Sequence, residues 1–261
     1  MKKWMQMSKK HKILSVCGVL IIFLIILYWQ IGSERGWINS ILLSSPSDIA
    51  ASFRSLWGSG SLQKHIMVSF KRVMIGYVSG AGLGILSGFI LSTMPSLEKL
   101  FSFSLAIIRP IPALALFPLF ILWFGIGEGS KIMVIAFMSF WPTFLNTEEG
   151  VRQADKNLLE LADALQKGRV TKMATVLLPS TLPYIFAGLR LAISRAWGGV
   201  VVAEMLAASS GIGFLIEYSR DMSQTATMFT GVITIAIIGF TADLLLRILQ
   251  DRICYWHTEV K

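Results

Sequence analysis

Five ionisable side chains fall inside otherwise apolar stretches of this chain: Arg109, Arg190, Arg195, Glu204 and Asp243. Placing an Arg or Asp at the centre of a membrane helix costs about 2.5–3.5 kcal/mol, so each needs a partner or a use. Arg109 precedes Pro110, at a break in its stretch. Arg190 and Arg195 are about 140° apart around an ideal helix, so both cannot face one narrow path squarely. An unpaired arginine would offer a cationic contact to an anionic solute. Arg109 and Arg195 are the candidates for that role, with Trp197 and Glu204 further along the same path. The structural alternative has Arg190 snorkelling to an interface and Glu204 pairing with a polar group to hold helices together. Asp243 and Arg247, four positions apart, are expected to pair on one helix face.

Catalytic chemistry has little to stand on. His11, His65 and His257 lack metal-ligand spacing to another His, Cys or carboxylate pair. No serine occupies a GxSxG elbow, and no GxxxxGK[ST] phosphate loop is present. Gly125-Ile-Gly-Glu-Gly-Ser-Lys131 is a decoy, because its lysine follows serine and it lies between spans. Cys17 and Cys254 sit near opposite ends of the chain and suggest neither a disulfide nor a metal site. The expectation is a chain that is no enzyme and carries no cofactor or metal of its own.

The elements that must position these residues follow from composition. The chain has 261 residues, 54% of them hydrophobic and 15% charged, with a mean hydropathy of +0.65. A soluble domain has about 25% charged residues, so an all-α integral membrane protein is indicated. Six transmembrane helices are expected, at about 13–31, 67–92, 101–124, 132–145, 184–208 and 226–249. Pro110, Pro112 and Pro118 interrupt the third, and the fourth is short. The first run is too long for a signal peptide and has no small-residue cleavage site nearby, so it reads as a retained anchor.

Six spans with the N-terminus inside put 14 Lys and Arg in inner segments against 7 in outer ones. That bias places both termini in the cytoplasm. It also accounts for the formal charge of +9 without a nucleic-acid surface. The chain then divides into an anchor and outer amphipathic segment (1–66), a core transmembrane region (67–249) and a cytoplasmic tail (250–261). In the outer segment Ile49, Phe53, Leu56 and Trp57 recur at helical spacing, as in a helix lying on a membrane surface. In the second span Gly76, Gly80, Gly84 and Gly88 form three GxxxG steps on one face, a surface for close approach of another helix from this chain or a second copy.

The inner loop of about 147–182 is longer than a connection needs. Val151, Ala154, Leu158, Ala162 and Leu165 form an apolar stripe, with Arg152, Asp155, Lys156, Glu160 and Asp163 on the other faces. Gly168 is a plausible stop, and Leu178-Pro179 and Pro183 close a second short segment. Such a helix could lie on lipid, pack on its own chain or dock in a partner's groove.

Within that loop Glu160-Leu161-Ala162, followed by Val176-Leu177-Leu178-Pro179, resembles the EAA loop of ATP-binding-cassette importer permeases. Leu161 replaces the middle Ala of the pattern, and Gln166 stands where Gly is usual, with Gly168 two residues later. Ile108-Arg109-Pro110-Ile111-Pro112-Ala113, Phe117 to Gly127, Asn146 to Arg152, Gly188-Leu189-Arg190, and Trp197 followed by Val202-Ala203-Glu204-Met205 are similar to the permeases for nitrate, sulfonates and taurine. Leu43-Ser44-Ser45-Pro46 resembles their Leu-Pro-Ser-Pro element, with Ser44 replacing its first Pro. The likeness runs from about residue 43 to 247.

The resemblance implies a type I importer permease fold in a bacterial cytoplasmic (inner) membrane, working as a homodimer by alternating access. It implies two cytoplasmic ATPase subunits that hold the ATP and Mg, and an extracytoplasmic substrate-binding protein. Glu160, Leu161, Ala162, Asp163, Gln166, Gly168 and Pro179 would form the coupling loop. The solute would be a small anion or zwitterion such as an alkanesulfonate, taurine or nitrate. Related permeases carry a pyrimidine or flavin vitamin precursor instead. Two other classes remain open on the residues: an ion-coupled secondary carrier, which would leave the loop unexplained, and a membrane scaffold, which would leave the intramembrane charges unexplained.

Overall fold

The computed structural model describes residues 9–257, which are helical and contain no strand. Lys2, Lys3 and Lys261 lie outside the described residues, as do the side chains of Lys9, Lys10, His11, Lys12 and His257. Two compact units divide the chain, one ending at Leu62 and resuming over Leu215–Val232, the other made of Gln63–Phe214 and the segment from Ile233 onward.

In the first unit α1 (Lys9–Glu34) leads to α2 (Pro46–Gly58). Pro46 opens α2 with its φ preset, and the Ser45 side chain accepts from the Asp48 amide at 3.1 Å, a conventional N-cap. Gln30 fixes the two helices to each other, donating to Ser47 Oγ at 2.9 Å and accepting from the Ser47 amide at 3.0 Å. The apolar face expected around Ile49 is real but divided. Ile49 is buried, while Phe53 and Trp57 stack on each other at 5.8 Å and stay exposed.

The second unit contains nearly all of α3 (Ser61–Thr93), then α4 (Pro95–Ile108), a 3-10 turn at Ala113–Leu116, α5 (Phe117–Phe124) and α6 (Glu128–Arg152). After these come α7 (Lys156–Ala164), α8 (Arg169–Lys172), α9 (Leu178–Ala207), the start of α10 (Ile212–Asp221) and most of α11 (Thr225–Ile253). The centre is α6. The glycine ladder of α3 lies against it: a methyl at Gly80 would come 2.1 Å from the Ala136 carbonyl oxygen, and one at Gly84 would come 2.2 Å from Thr143 Oγ1. Gly76 and Gly88 meet Ile135 and Phe144 in the same way. The partner helix of the ladder therefore belongs to this chain. From the other side α9 approaches α6 through Gly188 and Gly199, the latter beside Met138. Val73, Tyr77, Ile135, Ile193, Trp197 and Val200 pack in the core that these helices share.

Among the described residues three helical runs are long and apolar enough to cross a membrane: α3, α11, and the continuous 39-residue run Arg169–Ala207 that includes α8 and α9. The expected third span is not one straight helix. Its two parts, Pro95–Ile108 and Ala113–Phe124, meet at 84°, because Pro110 and Pro112 supply no amide hydrogens to continue the ladder. The expected fourth span corresponds to α6, which falls outside those three runs. Its polar side chains are packed inside the unit and bond the helix's own carbonyls: Ser139 to Ile135 at 2.8 Å, Thr143 to Ser139 at 2.9 Å and Thr147 to Thr143 at 2.7 Å. A helix enclosed by its neighbours need not be apolar all round.

Candidate functional sites in the second unit

The loop after α6 is a helical hairpin. The apolar stripe of residues 151–165 is not one helix: Val151 closes α6, and Asp155 starts α7 by accepting from the Asn157 amide at 2.8 Å. The end of α7 is a Schellman motif. The Lys167 amide donates to the Ala162 carbonyl at 3.0 Å and the Gln166 amide to the Asp163 carbonyl at 2.9 Å, with Gln166 at φ +54°. Gln166 thus adopts the left-handed conformation at the very position where the resembling loops carry Gly, at a cost of about 1 kcal/mol. Gly168 is not the stop; its φ is −62° and it precedes α8 as a cap. Nor does Pro179 close a segment. It occupies the first turn of α9, directly after a π-helical turn at Met173–Leu177, which widens the helix where proline cannot bond the carbonyl four residues back.

Lys172 forms an ion pair with Asp163 and ties the two arms of the hairpin together. Ala162 is buried, while Glu160, Leu158, Leu161, Leu165 and Val170 are exposed.

A second region surrounds Glu204, which is fully buried. Its carboxylate accepts from Ser69 Oγ at 2.8 Å, Arg72 Nη1 at 2.8 Å and the Gly213 amide at 2.8 Å. Arg72 also donates to the Ser210 carbonyl at 2.6 Å and forms two bonds to Glu128, each of 2.6 Å. Ser69 accepts from the Ile212 amide at 2.8 Å, so the free amides at the start of α10 are satisfied by Glu204 and Ser69. Gly211 sits at φ +119°, and a methyl there would lie 2.3 Å from the Glu204 carboxyl. All three Arg72 nitrogens and both Glu204 oxygens are bonded.

The third region is a pocket of about 320 Å³ lined by Arg109, the turn through Pro110 and Pro112, Phe137, Met138, Trp141, Leu145 and Arg195. Arg109 and Arg195 thus reach one cavity from α4 and α9, although they are far apart in sequence. Neither meets a carboxylate among the described residues, whereas Arg72, Arg152 and Arg190 all do. The four residues assigned to one path are divided by the structure. Trp197 is in the hydrophobic core, and Glu204 belongs to the closed network. Asp243 also departs from expectation, bonding Arg190 on α9 at 2.8 and 3.1 Å rather than Arg247 on its own helix. The reach across to a bidentate guanidinium satisfies both carboxylate oxygens.

Sequence reasoning passed over Arg72, although it falls inside the expected 67–92 span. A signal was present: Arg72 stands four residues before Gly76, on the face of the glycine ladder. Trp141 was also missed, and no pattern marks it. Cys254 is buried, which pushes its thiol up from the ordinary value.

The family model described as "Binding-protein-dependent transport system inner membrane component" matches residues 80–254. The chain belongs to this family. A Bacillus subtilis (strain 168) protein provisionally named as the aliphatic sulfonates transport permease SsuC is 38% identical over 93% of this chain and 88% of its own length. The taurine transport system permease protein TauC of Escherichia coli (strain K12) is 30% identical over 99% of this chain and 95% of its own. Among solved structures, an amino acid ABC transporter crystallised with histidines matches with a TM-score of 0.61 at 16% identity, over 78% of this chain and 97% of that one. The MetNI methionine ABC transporter in inward-facing form matches at 0.55 and 19%, over 83% and 96%. The fold is therefore that of ABC transporter permeases. As a member of the family, the chain is a multi-pass membrane permease subunit that partners ATPase subunits, a transport component rather than an enzyme.

Proposed function

We propose that this permease moves a small anionic or zwitterionic solute, of the aliphatic sulfonate or taurine class, inward across a bacterial inner membrane. Two copies form the pathway, an extracytoplasmic binding protein delivers the solute, and two ATPase chains on the cytoplasmic side hold ATP and Mg. The relatives named for aliphatic sulfonates and taurine support the solute class. A riboflavin transport permease of Chloroflexus aurantiacus is 30% identical over 91% of this chain, which makes a flavin or pyrimidine the second reading.

The observation that carries the proposal is the hairpin of α7 and α8. A chain packing on itself would bury its leucines; Leu158, Leu161 and Leu165 are instead 47%, 55% and 61% exposed. The Schellman turn and the Asp163–Lys172 ion pair tie the two arms of the hairpin together. A partner's groove would cover the leucines and receive Glu160 at the rim. ATPase closure would then swing α6 and α9, which are continuous in sequence with the two arms. The test is ATP-driven uptake into proteoliposomes holding this chain, its ATPase and its binding protein, with sulfonates, taurine, nitrate, pyrimidines and flavins offered in turn. Uptake of a sulfonate or taurine that needs ATP and both partners is expected. Glu160→Arg should uncouple hydrolysis from uptake while insertion is retained. Uptake driven by an ion gradient without the ATPase would refute the proposal.

A further inference from the structure

Two arginines that meet no carboxylate among the described residues line one cavity, which places positive charge where an anion can enter. Trp141 forms part of the wall, and its ring is held in place by edge contacts to Phe137, Phe140 and Phe144 at 6.1, 5.1 and 6.1 Å. Two cations therefore share one cavity with a fixed aromatic wall.

The chemistry of these donors selects the ligand. Guanidinium groups are the preferred partners of oxyanions, and they remain charged at any physiological pH. Phe137, Met138 and Leu145 supply an apolar wall for a short hydrocarbon chain. A volume of about 320 Å³ is at the lower end of the range for ligand pockets, which suits a solute of a few heavy atoms better than a flavin.

We propose that this pocket is where the permease itself holds the headgroup of an aliphatic sulfonate, with Arg109 and Arg195 on its oxygens. The inference rests on the importer reading and deepens it.

The test measures equilibrium binding of radiolabelled ethanesulfonate to the full chain assembled with its ATPase in nanodiscs, without binding protein. ATP-driven uptake of ethanesulfonate is followed in parallel with the binding protein present. Saturable binding is expected, weakened about tenfold or more in Arg109→Gln and Arg195→Gln. Should a glutamine variant fail to insert, Arg109→Lys and Arg195→Lys keep the charge but lose the fork, and about a threefold weakening is expected. Wild-type uptake with unchanged binding in all variants would overturn the pocket and leave the importer reading standing. Variant-sensitive binding without ATP-driven uptake would do the reverse. No ethanesulfonate binding by the wild type overturns the pocket outright.

Discussion

The arginines of α3 and α9 have opposite fates. Arg72 is buried beside the buried Glu204 carboxylate, and Glu128 and the Ser210 carbonyl accept its other hydrogen bonds. Arg195 lines an open pocket and meets no acid among the described residues. Both residues carry the same charge in apolar helices. The difference teaches that a charge in a membrane helix is not by itself a mark of function. What separates a structural charge from a functional one is whether the fold has already neutralised it.

The comparison can be broken by ranking three arginines by stability. Arg72→Ala should have the largest effect, about 3–5 kcal/mol, because it strands the buried Glu204 carboxylate without its guanidinium partner. The measurement is the thermal unfolding midpoint of the detergent-solubilised protein; a shift no larger than that of an exposed substitution would mean that the network is dispensable. Arg190→Ala should come second at about 1 kcal/mol or less, since the pair with Asp243 is partly open, at 32% and 35% side-chain exposure. Its effect should also shrink in high salt, which a buried pair would not show. Arg195→Gln should change stability least, within about 0.5 kcal/mol, because no protein group depends on it. If Arg195→Gln unfolds the protein as readily as Arg72→Ala, the distinction between closed and open charges fails.

Much of the hairpin was legible from residues alone. The Glu160 to Pro179 spacing located it, and the amphipathic stripe marked it as helical. The detail of its turn was not legible. Gln166 is a poor candidate for a left-handed residue, and Gly168, the better candidate by type, is two positions too late. The two hydrogen bonds of the Schellman motif determine where the chain reverses, and they outweigh the local preference of one side chain. The prolines misled for a similar reason. Pro179 and Pro183 read as terminators, yet a π-helical turn ahead of Pro179 lets one helix run through both.

The sequence by itself determined that this protein is helical and membrane-embedded, which family it resembles, where the helical hairpin after α6 lies and which face of α3 is small enough for close packing. Each of these follows from composition or short-range spacing, which act before any fold exists. Only the tertiary structure decided which helix the glycines receive, that Glu204 closes on Arg72, that Asp243 prefers Arg190 to its own-helix neighbour, and that Arg109 and Arg195 share a pocket. Those are facts about which distant side chains meet. Burial and pairing belong to the packed arrangement rather than to any segment, so the same arginine is a buried strut in one place and an open contact in another.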